Sequence, residues 1–512
     1  MSHLARGAGA VLLGVALIGA FPPFDLWFLA ILVPAAVALL VRDQPLKRSA
    51  WLGLLFGLGF FVPMLHWTGM ETGPVPWLLL GVFEALFFIP LTMGLTLVQR
   101  VPGWPVWTAA IWVADEAIRG RIPYGGFTWG KLAFSQADSP MLGVASLGGS
   151  PGLSFLVALS GGLVAWAVVT RRWWLRGVAV AGAATLVVAP LLVQPLQGSG
   201  ESITVAVIQG NVPSPGLDYN NEARVITNNH VEATKELAAA VEAGQTPRPD
   251  MVLWPENSSD ISPFHDPATY DSIDSAVKAI DVPVLISAII PTEDQQNVKN
   301  TSILWDPDTG PGESYVKRHP MPFGEYIPFR SIASRITDAV ESQPRDHLPG
   351  DKIGIFEVAG ATVGDVICFE VAFDGIVRDA VRAGGEFLAV QTNNATFGYT
   401  EMTEQQLAQS RLRAFEHGRT VIVSALAGVS AIIAPNGEVT ERAELFTRDI
   451  MITEVPLIHE TTLATDIGVW PEWVLTAMGV GVVVLVIMSA RRDRNHSAGE
   501  PAEPTLAEAG AR

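Results

Sequence analysis

The chain has 512 residues and a formal net charge of −18, and its mean hydropathy of +0.33 is too apolar for an ordinary soluble protein of this length. Residues 201–467 hold 18 Lys and Arg against 39 Asp and Glu, so the acidity belongs to one block, which excludes nucleic-acid binding by phosphate neutralisation and docking on anionic lipid by charge. The single cysteine, Cys368, excludes an intrachain disulfide and a multi-Cys metal site.

Apolar stretches come first in the chain. Seven precede residue 200, near 8–20, 26–41, 50–66, 77–98, 104–119, 152–170 and 173–193, and an eighth lies near 468–490. Several are shorter than the roughly 20 residues that span a bilayer upright. The first has the length of a signal-peptide core, but further apolar segments follow it instead of a cleavage site and a soluble chain. Loop charges set the orientation. Arg6, then Arg42, Lys47 and Arg48, then Arg100, then Arg171, Arg172 and Arg176, and finally Arg491, Arg492 and Arg494 mark one cytoplasmic side. Among the opposite loops only Arg119–Pro140 carries positive charge, as Arg119, Arg121 and Lys131. Seven crossings from a cytoplasmic N-terminus put residues 200–467 outside, and the eighth returns the C-terminus to the cytoplasm. The expected divisions are a bundle over 1–199, an extracytoplasmic block over 200–465, a last helix over 466–491 and a disordered tail over 492–512, rich in Ala, Glu and Pro.

From Ile203 the pattern changes to short β-branched runs alternating with amphipathic stretches. Predicted strands are Ile203–Gln209, Met251–Trp254, Val284–Ile290, Ser302–Trp305, Tyr315–Lys317, Ile353–Glu357, Ala361–Ile367, Phe387–Gln391, Val421–Ser424 and Ser430–Ala434. Predicted helices are Glu222–Glu242, Tyr270–Ile280, Gly375–Ala383 and Met402–His417. Interleaving of this kind indicates a layered α/β domain.

Three segments in this block carry chemistry. In Asp250-Met-Val-Leu-Trp-Pro-Glu256 an apolar strand runs into a proline and a carboxylate, which is either a solvated strand end or a general base. In Tyr315-Val-Lys317-Arg-His-Pro-Met-Pro-Phe-Gly-Glu325-Tyr326-Ile-Pro328 a lysine ends a strand, and a loop stiffened by prolines brings Glu325 back. In Gly364-Asp-Val-Ile-Cys368-Phe369-Glu370 a β-branched run ends at the thiol and a helix follows. A nucleophile at such a turn projects outward beside backbone N–H groups that can receive an oxyanion. Elsewhere, His66 and Glu84 lie inside apolar segments and read as helix-end or bundle-facing residues, while His265 and His319 read as surface residues. Trp104, Trp107, Trp173 and Trp174 read as interfacial anchors. No His/Asp/Glu cluster has zinc spacing and no Walker-type glycine loop is present, so neither a metal nor another cofactor is expected.

Together these motifs resemble the nitrilase superfamily, whose members use a Glu-Lys-Cys triad on an αββα sandwich. With the apolar helices included, residues 5–490 resemble the apolipoprotein N-acyltransferase family: a polytopic helical membrane bundle of about eight helices with an inserted nitrilase-like α/β domain. Trp254-Pro-Glu256, Lys317 with Pro-Phe-Gly-Glu325-Tyr326-Ile-Pro328, and Ile367-Cys368-Phe369-Glu370 carry the likeness, supported by Gln209-Gly-Asn211, Asn300-Thr-Ser302, Gly126-Phe-Thr-Trp129 and Ser135-Gln136. Phe369 stands where the family often has Tyr, and Thr128 where it often has Pro.

The resemblance implies that Cys368 is the nucleophile, Glu256 the general base and Lys317 the oxyanion stabiliser. Glu325 and Glu370 match supporting positions, and Phe369, Tyr326, Trp254, Asn300 and Tyr219 match positioning ones. It implies a phospholipid acyl donor, a diacylglyceryl-modified apolipoprotein acceptor and a monomer in the bacterial cytoplasmic membrane. The loops Arg119–Pro140 and Pro320–Arg335 are candidates for lipid contact or gating. Two other readings stand beside this one: a membrane-tethered amidase for a soluble amide, against which eight helices argue, and an inert transporter or scaffold, against which the intact triad argues.

Overall fold

The computed structural model describes residues 3–213, 222–335, 340–341 and 343–499. The apolar stretches form helices α1 (His3–Ile18), α2 (Leu29–Val41), α3 (Leu46–Met64), the single turn α4 (Gly69–Thr72), α5 (Pro74–Val98), α6 (Trp104–Arg119), α7 (Ala145–Val169) and α8 (Trp173–Val188). By length and composition, four helical stretches among the described residues suffice to cross a membrane: Pro74–Val98, Leu142–Val169, Trp173–Leu192 and Trp470–Arg492. The others fall short for visible reasons: α1 and α2 have 16 and 13 residues, and α6 places Asp115, Glu116 and Arg119 in 16. Small residues let these helices approach closely. A Cβ on Gly53 would lie 2.2 Å from the Phe88 carbonyl oxygen, and one on Gly57 would lie 2.7 Å from the Ala85 Cα.

The acidic block is a four-layer αββα sandwich. One sheet runs β12-β1-β2-β3-β4-β5, with β1 (Ser202–Gln209), β2 (Met251–Leu253), β3 (Val284–Pro291), β4 (Val298–Asp306), β5 (Gly310–Val316) and β12 (Asp449–Pro456). The other runs β11-β10-β9-β8-β7-β6, with β6 (Ile355–Val358), β7 (Ala361–Ile367), β8 (Phe387–Thr392), β9 (Val421–Ala425), β10 (Ala431–Ile433) and β11 (Val439–Arg442). At the centre of each sheet three strands are parallel, β1-β2-β3 and β7-β8-β9. Their inner faces meet in one core containing Val205, Leu253, Val363, Ile367 and Ala389. Helices α9 (Ala223–Glu242) and α10 (Pro267–Ile280) cover the first sheet. Helices α12 (Asp374–Arg382) and α13 (Met402–His417) cover the second. Short helices α11 (Arg330–Ala333) and α14 (Leu463–Ile467) complete the block, and α15 (Trp470–Gly499) returns to the bundle, packing on α6.

Strands β11 and β12 are additional to the sequence expectation. β12 pairs antiparallel with β1 along its whole length, and its charged, half-exposed face hides the alternation that would announce it. The last helix continues to Gly499, past the expected end near 490, and residues 500–512 of the expected tail lie outside the described residues.

Candidate active site

Each motif ends a strand at the same end of the sandwich. Glu256 follows β2, Lys317 directly follows β5 and Cys368 directly follows β7. All three are buried, at 4, 3 and 8% exposure. Cys368 adopts φ +52°, in the left-handed region, where a strand turns sharply and lifts its side chain out of the sheet.

Lys317 Nζ lies 2.9 Å from Glu256 Oε1 and 2.9 Å from Glu325 Oε2. The proline-stiffened loop therefore does return Glu325 to the lysine, and the Met321 N–H fixes it there by donating to Oε2 at 2.6 Å. Asn300 Nδ2 donates to Glu256 Oε1 at 2.7 Å and to Glu325 Oε1 at 3.2 Å. The thiol and Glu256 meet through consecutive residues: Thr392 Oγ1 donates to Cys368 Sγ at 3.2 Å, while the Asn393 N–H donates to Glu256 Oε2 at 2.9 Å. Gln406 Nε2 on α13 is 3.5 Å from the sulfur.

Charge follows from this packing. Burial alone would depress the Lys317 ammonium, but the carboxylates of Glu256 and Glu325 win and hold it well above its ordinary value. Burial likewise opposes ionisation of Glu325, yet Lys317 and His347 hold its carboxyl well below the usual range. Burial, reinforced by the field of Glu256, pushes the Cys368 thiol up to about 12 against the pull of Lys317.

Glu370 is fully buried beside this cluster. It accepts from Tyr315 Oη at 2.8 Å, from the N–H groups of Arg318 and His319 at 2.6 and 3.0 Å, and from the Ile367 N–H at 2.8 Å. One carboxyl group thus ties the residues around Lys317 to those around Cys368. Trp254 is also internal: its indole donates to Thr234 at 3.0 Å and its carbonyl accepts from Gln391 at 2.6 Å. Tyr326 is partly buried, and among the described residues its phenol makes no hydrogen bond to the three charged or sulfur groups. Tyr219 lies outside the described residues. His265 is exposed as expected, but His319 is only partly exposed: its ring centroid lies 3.9 Å from that of Phe373, and burial and Lys317 lower it to about 4. Trp173 is exposed as an anchor would be, whereas Trp104 is buried in the bundle.

The roof of the site comes from the bundle. Phe369 stacks on Phe127 and Trp129 with ring centroids 6.0 and 6.1 Å apart, and Trp129 also meets Trp67 at 5.3 Å. His66 pairs with Glu401 at 3.4 Å. Asp374, at the start of α12, meets Lys131 at 3.0 Å, Ser150 at 2.8 Å and Arg413 at 2.6 Å. Burial opposes its ionisation, but Lys131 and Arg413 keep it well below the carboxylate range. Sequence reasoning missed Thr392, Asn393 and Gln406. The first two show a signal like that of Glu256, a polar residue at or just past the end of an apolar strand, but amide and hydroxyl side chains are common at strand ends and do not stand out. Among the described residues, no group of three or more His, Cys, Asp and Glu could hold a metal ion.

Comparison with known proteins identifies the family. Residues 13–163 match the apolipoprotein N-acyltransferase N-terminal domain, and residues 204–462 match the carbon-nitrogen hydrolase family. The chain is 38% identical to an apolipoprotein N-acyltransferase of Mycolicibacterium smegmatis, over 93% of this chain and 84% of the relative. It is 28% identical to one of Shewanella oneidensis, over 91% and 93% of the two chains. An amidase from Nesterenkonia sp. of known structure aligns with a TM-score of 0.35 at 16% identity, over 52% of this chain and 94% of its own. The bundle domain and the hydrolase domain occur here in one chain, matched nearly end to end by full-length relatives, and the chain therefore belongs to the apolipoprotein N-acyltransferase family, membrane acyltransferases carrying a carbon-nitrogen hydrolase domain.

Proposed function

We propose that this enzyme moves a fatty acyl chain from a membrane phospholipid to the α-amino group of the N-terminal S-diacylglyceryl cysteine of an apolipoprotein, through a thioester on Cys368. The observation that carries the reading is the shared placement of one ammonium between two carboxylates, beside the chain's only thiol and under an aromatic roof supplied by the bundle.

In the first half-reaction Glu256 accepts the thiol proton as Sγ forms a bond to the ester carbonyl carbon. A thiol held near 12 needs a base at the moment of attack, because the thiolate is the nucleophile. Lys317 and the Phe369 N–H receive the oxyanion; losing one such donor costs about 10²–10³ in rate. The ester C–O bond then breaks, and the lysophospholipid leaves with the proton from Glu256. In the second half-reaction the lipoprotein amine attacks the thioester. The C–N bond forms, the C–S bond breaks, and Glu256 relays the amine proton to the sulfur. Glu325 balances Lys317, and Asn300 holds both carboxylates in register. The roof excludes water that would hydrolyse the thioester. The loop charges support an extracytoplasmic catalytic block with both termini in the cytoplasm, and the active unit is taken to be a monomer.

The test is direct. The full-length protein is incubated with phospholipid, quenched, and the peptide containing Cys368 is weighed. An acyl adduct on the wild type that is absent in Cys368→Ala is the expected result. No adduct on the wild type, or one that persists in the variant, would refute the reading.

A further inference from the structure

Arg119 ends α6 inside the bundle and is 1% exposed. Its Nη1 donates to Glu84 Oε2 at 3.1 Å, to the Phe127 carbonyl at 2.8 Å and to the Trp129 carbonyl at 2.7 Å. The Phe127 N–H returns to the Arg119 carbonyl at 3.0 Å. The intervening loop is wound as tightly as a backbone permits: Gly126 has φ +80°, and a Cβ there would lie 2.0 Å from the Gly120 carbonyl carbon. One guanidinium thus pins residues 127–129 against the helix end, and Glu84 balances its charge, since an unpaired buried cation is strongly unfavourable.

Two connections run from the pinned segment to the thiol. The rings of Phe127 and Trp129 lie against Phe369, the residue after Cys368, at interplanar angles of 28° and 14°. The Trp129 indole donates to Gln405 Oε1 at 2.7 Å, and the adjacent Gln406 approaches the sulfur at 3.5 Å. The Phe369 peptide and Gln406 therefore both take their positions from a loop whose conformation Arg119 sets. We propose that Arg119 is a positioning residue for the chemistry at Cys368, acting from within the bundle without touching the reacting atoms. The inference rests on Cys368 being the nucleophile, not on the identity of the acyl donor.

A burst experiment with p-nitrophenyl butyrate, a soluble activated ester, separates positioning from folding. The thiol displaces p-nitrophenolate, the C–S bond forms as the C–O bond breaks, and Glu256 takes the thiol proton. Burst amplitude counts intact sites, and burst rate reports how well the thiol is placed. In full-length protein in nanodiscs, Arg119→Gln is expected to keep the wild-type amplitude while the rate falls about tenfold or more, since misplacement by about 1 Å can cost about 10² in rate. Arg119→Lys, which can still donate to both carbonyls, is expected to recover most of that loss. Phe127→Leu removes one stacking ring and leaves the buried charges alone; it decides the matter if Arg119→Gln yields no folded protein. A wild-type burst rate in Arg119→Gln, or in Phe127→Leu where that variant decides, would overturn the proposal, as would a loss confined to amplitude or a wild type without a burst. A normal wild-type burst alongside no thioester from phospholipid would instead remove the lipid-donor reading and leave Arg119 in its role.

Discussion

At the scale of the residue, Cys368 sits in a polar but buried setting. Its sulfur receives hydrogen bonds from Thr392 and Gln406 and feels opposite fields from Glu256 and Lys317. Burial decides the balance and favours the neutral thiol. The sign follows: with the thiol pushed up to about 12, the thiolate fraction keeps growing throughout the accessible alkaline range. The rate of alkylation by iodoacetamide is therefore expected to rise about tenfold per pH unit from about pH 7 to 10 without levelling off. Because the chain has one cysteine, the mass shift reports this site alone. A plateau below about pH 8 would mean that Lys317 already holds a thiolate at rest, and that Glu256 is not needed to generate it.

At the scale of the element, strand ends and their connecting loops do the positioning. Strand β7 and helix α13 were legible to the residue, because a β-branched run and an amphipathic repeat each filled their full length. The three motifs were legible because each sets a charged or nucleophilic residue just past the end of a strand. Strand β12 was not, since Asp449 and Glu454 break its apolar pattern on the exposed side. The nucleophile turn leads into α12, whose first residue, Asp374, is clasped by Lys131 and Arg413. Replacing it by Asn leaves buried Lys131 without its carboxylate, while Arg413 keeps Glu416, and the expected loss is about 3–5 kcal/mol. Since the folded-state carboxyl is held below its ordinary value, its stabilising effect is complete above about pH 4 and fades as pH falls through the folded value. Melting of the wild type in nanodiscs should show this acid limb, and Asp374→Asn should flatten it while lowering Tm at neutral pH. An unchanged Tm at pH 7 would show that the clasp contributes nothing net.

At the scale of the molecule, the charge pattern behind the proposed orientation has one exception, the loop after α6 with Arg119, Arg121 and Lys131. The structure accounts for all three: Arg119 pairs with Glu84, Arg121 with Glu472 at the start of α15, and Lys131 with Asp374. Each of the three is thus held by an acid within the fold. No local sequence signal could reveal this, because two of the three partners lie more than 240 positions away. The proposed orientation predicts that Cys introduced at exposed Lys352 reacts in intact cells with a membrane-impermeant maleimide, whereas Cys introduced at exposed Arg171 reacts only after lysis. The reverse pattern would invert the topology.

The sandwich enters from α8 and leaves into α15, so both of its ends are anchored in one bundle. A polymer grafted at two points explores far fewer arrangements than one grafted at a single point, and its cost of closure grows only slowly with length. When the sandwich melts locally, its strands remain beside the same docking surface and cannot diffuse away. Recovery should then be a first-order event, indifferent to how densely the protein is loaded into the bilayer. A nick between α14 and α15 would remove that advantage without deleting a single contact of the folded state.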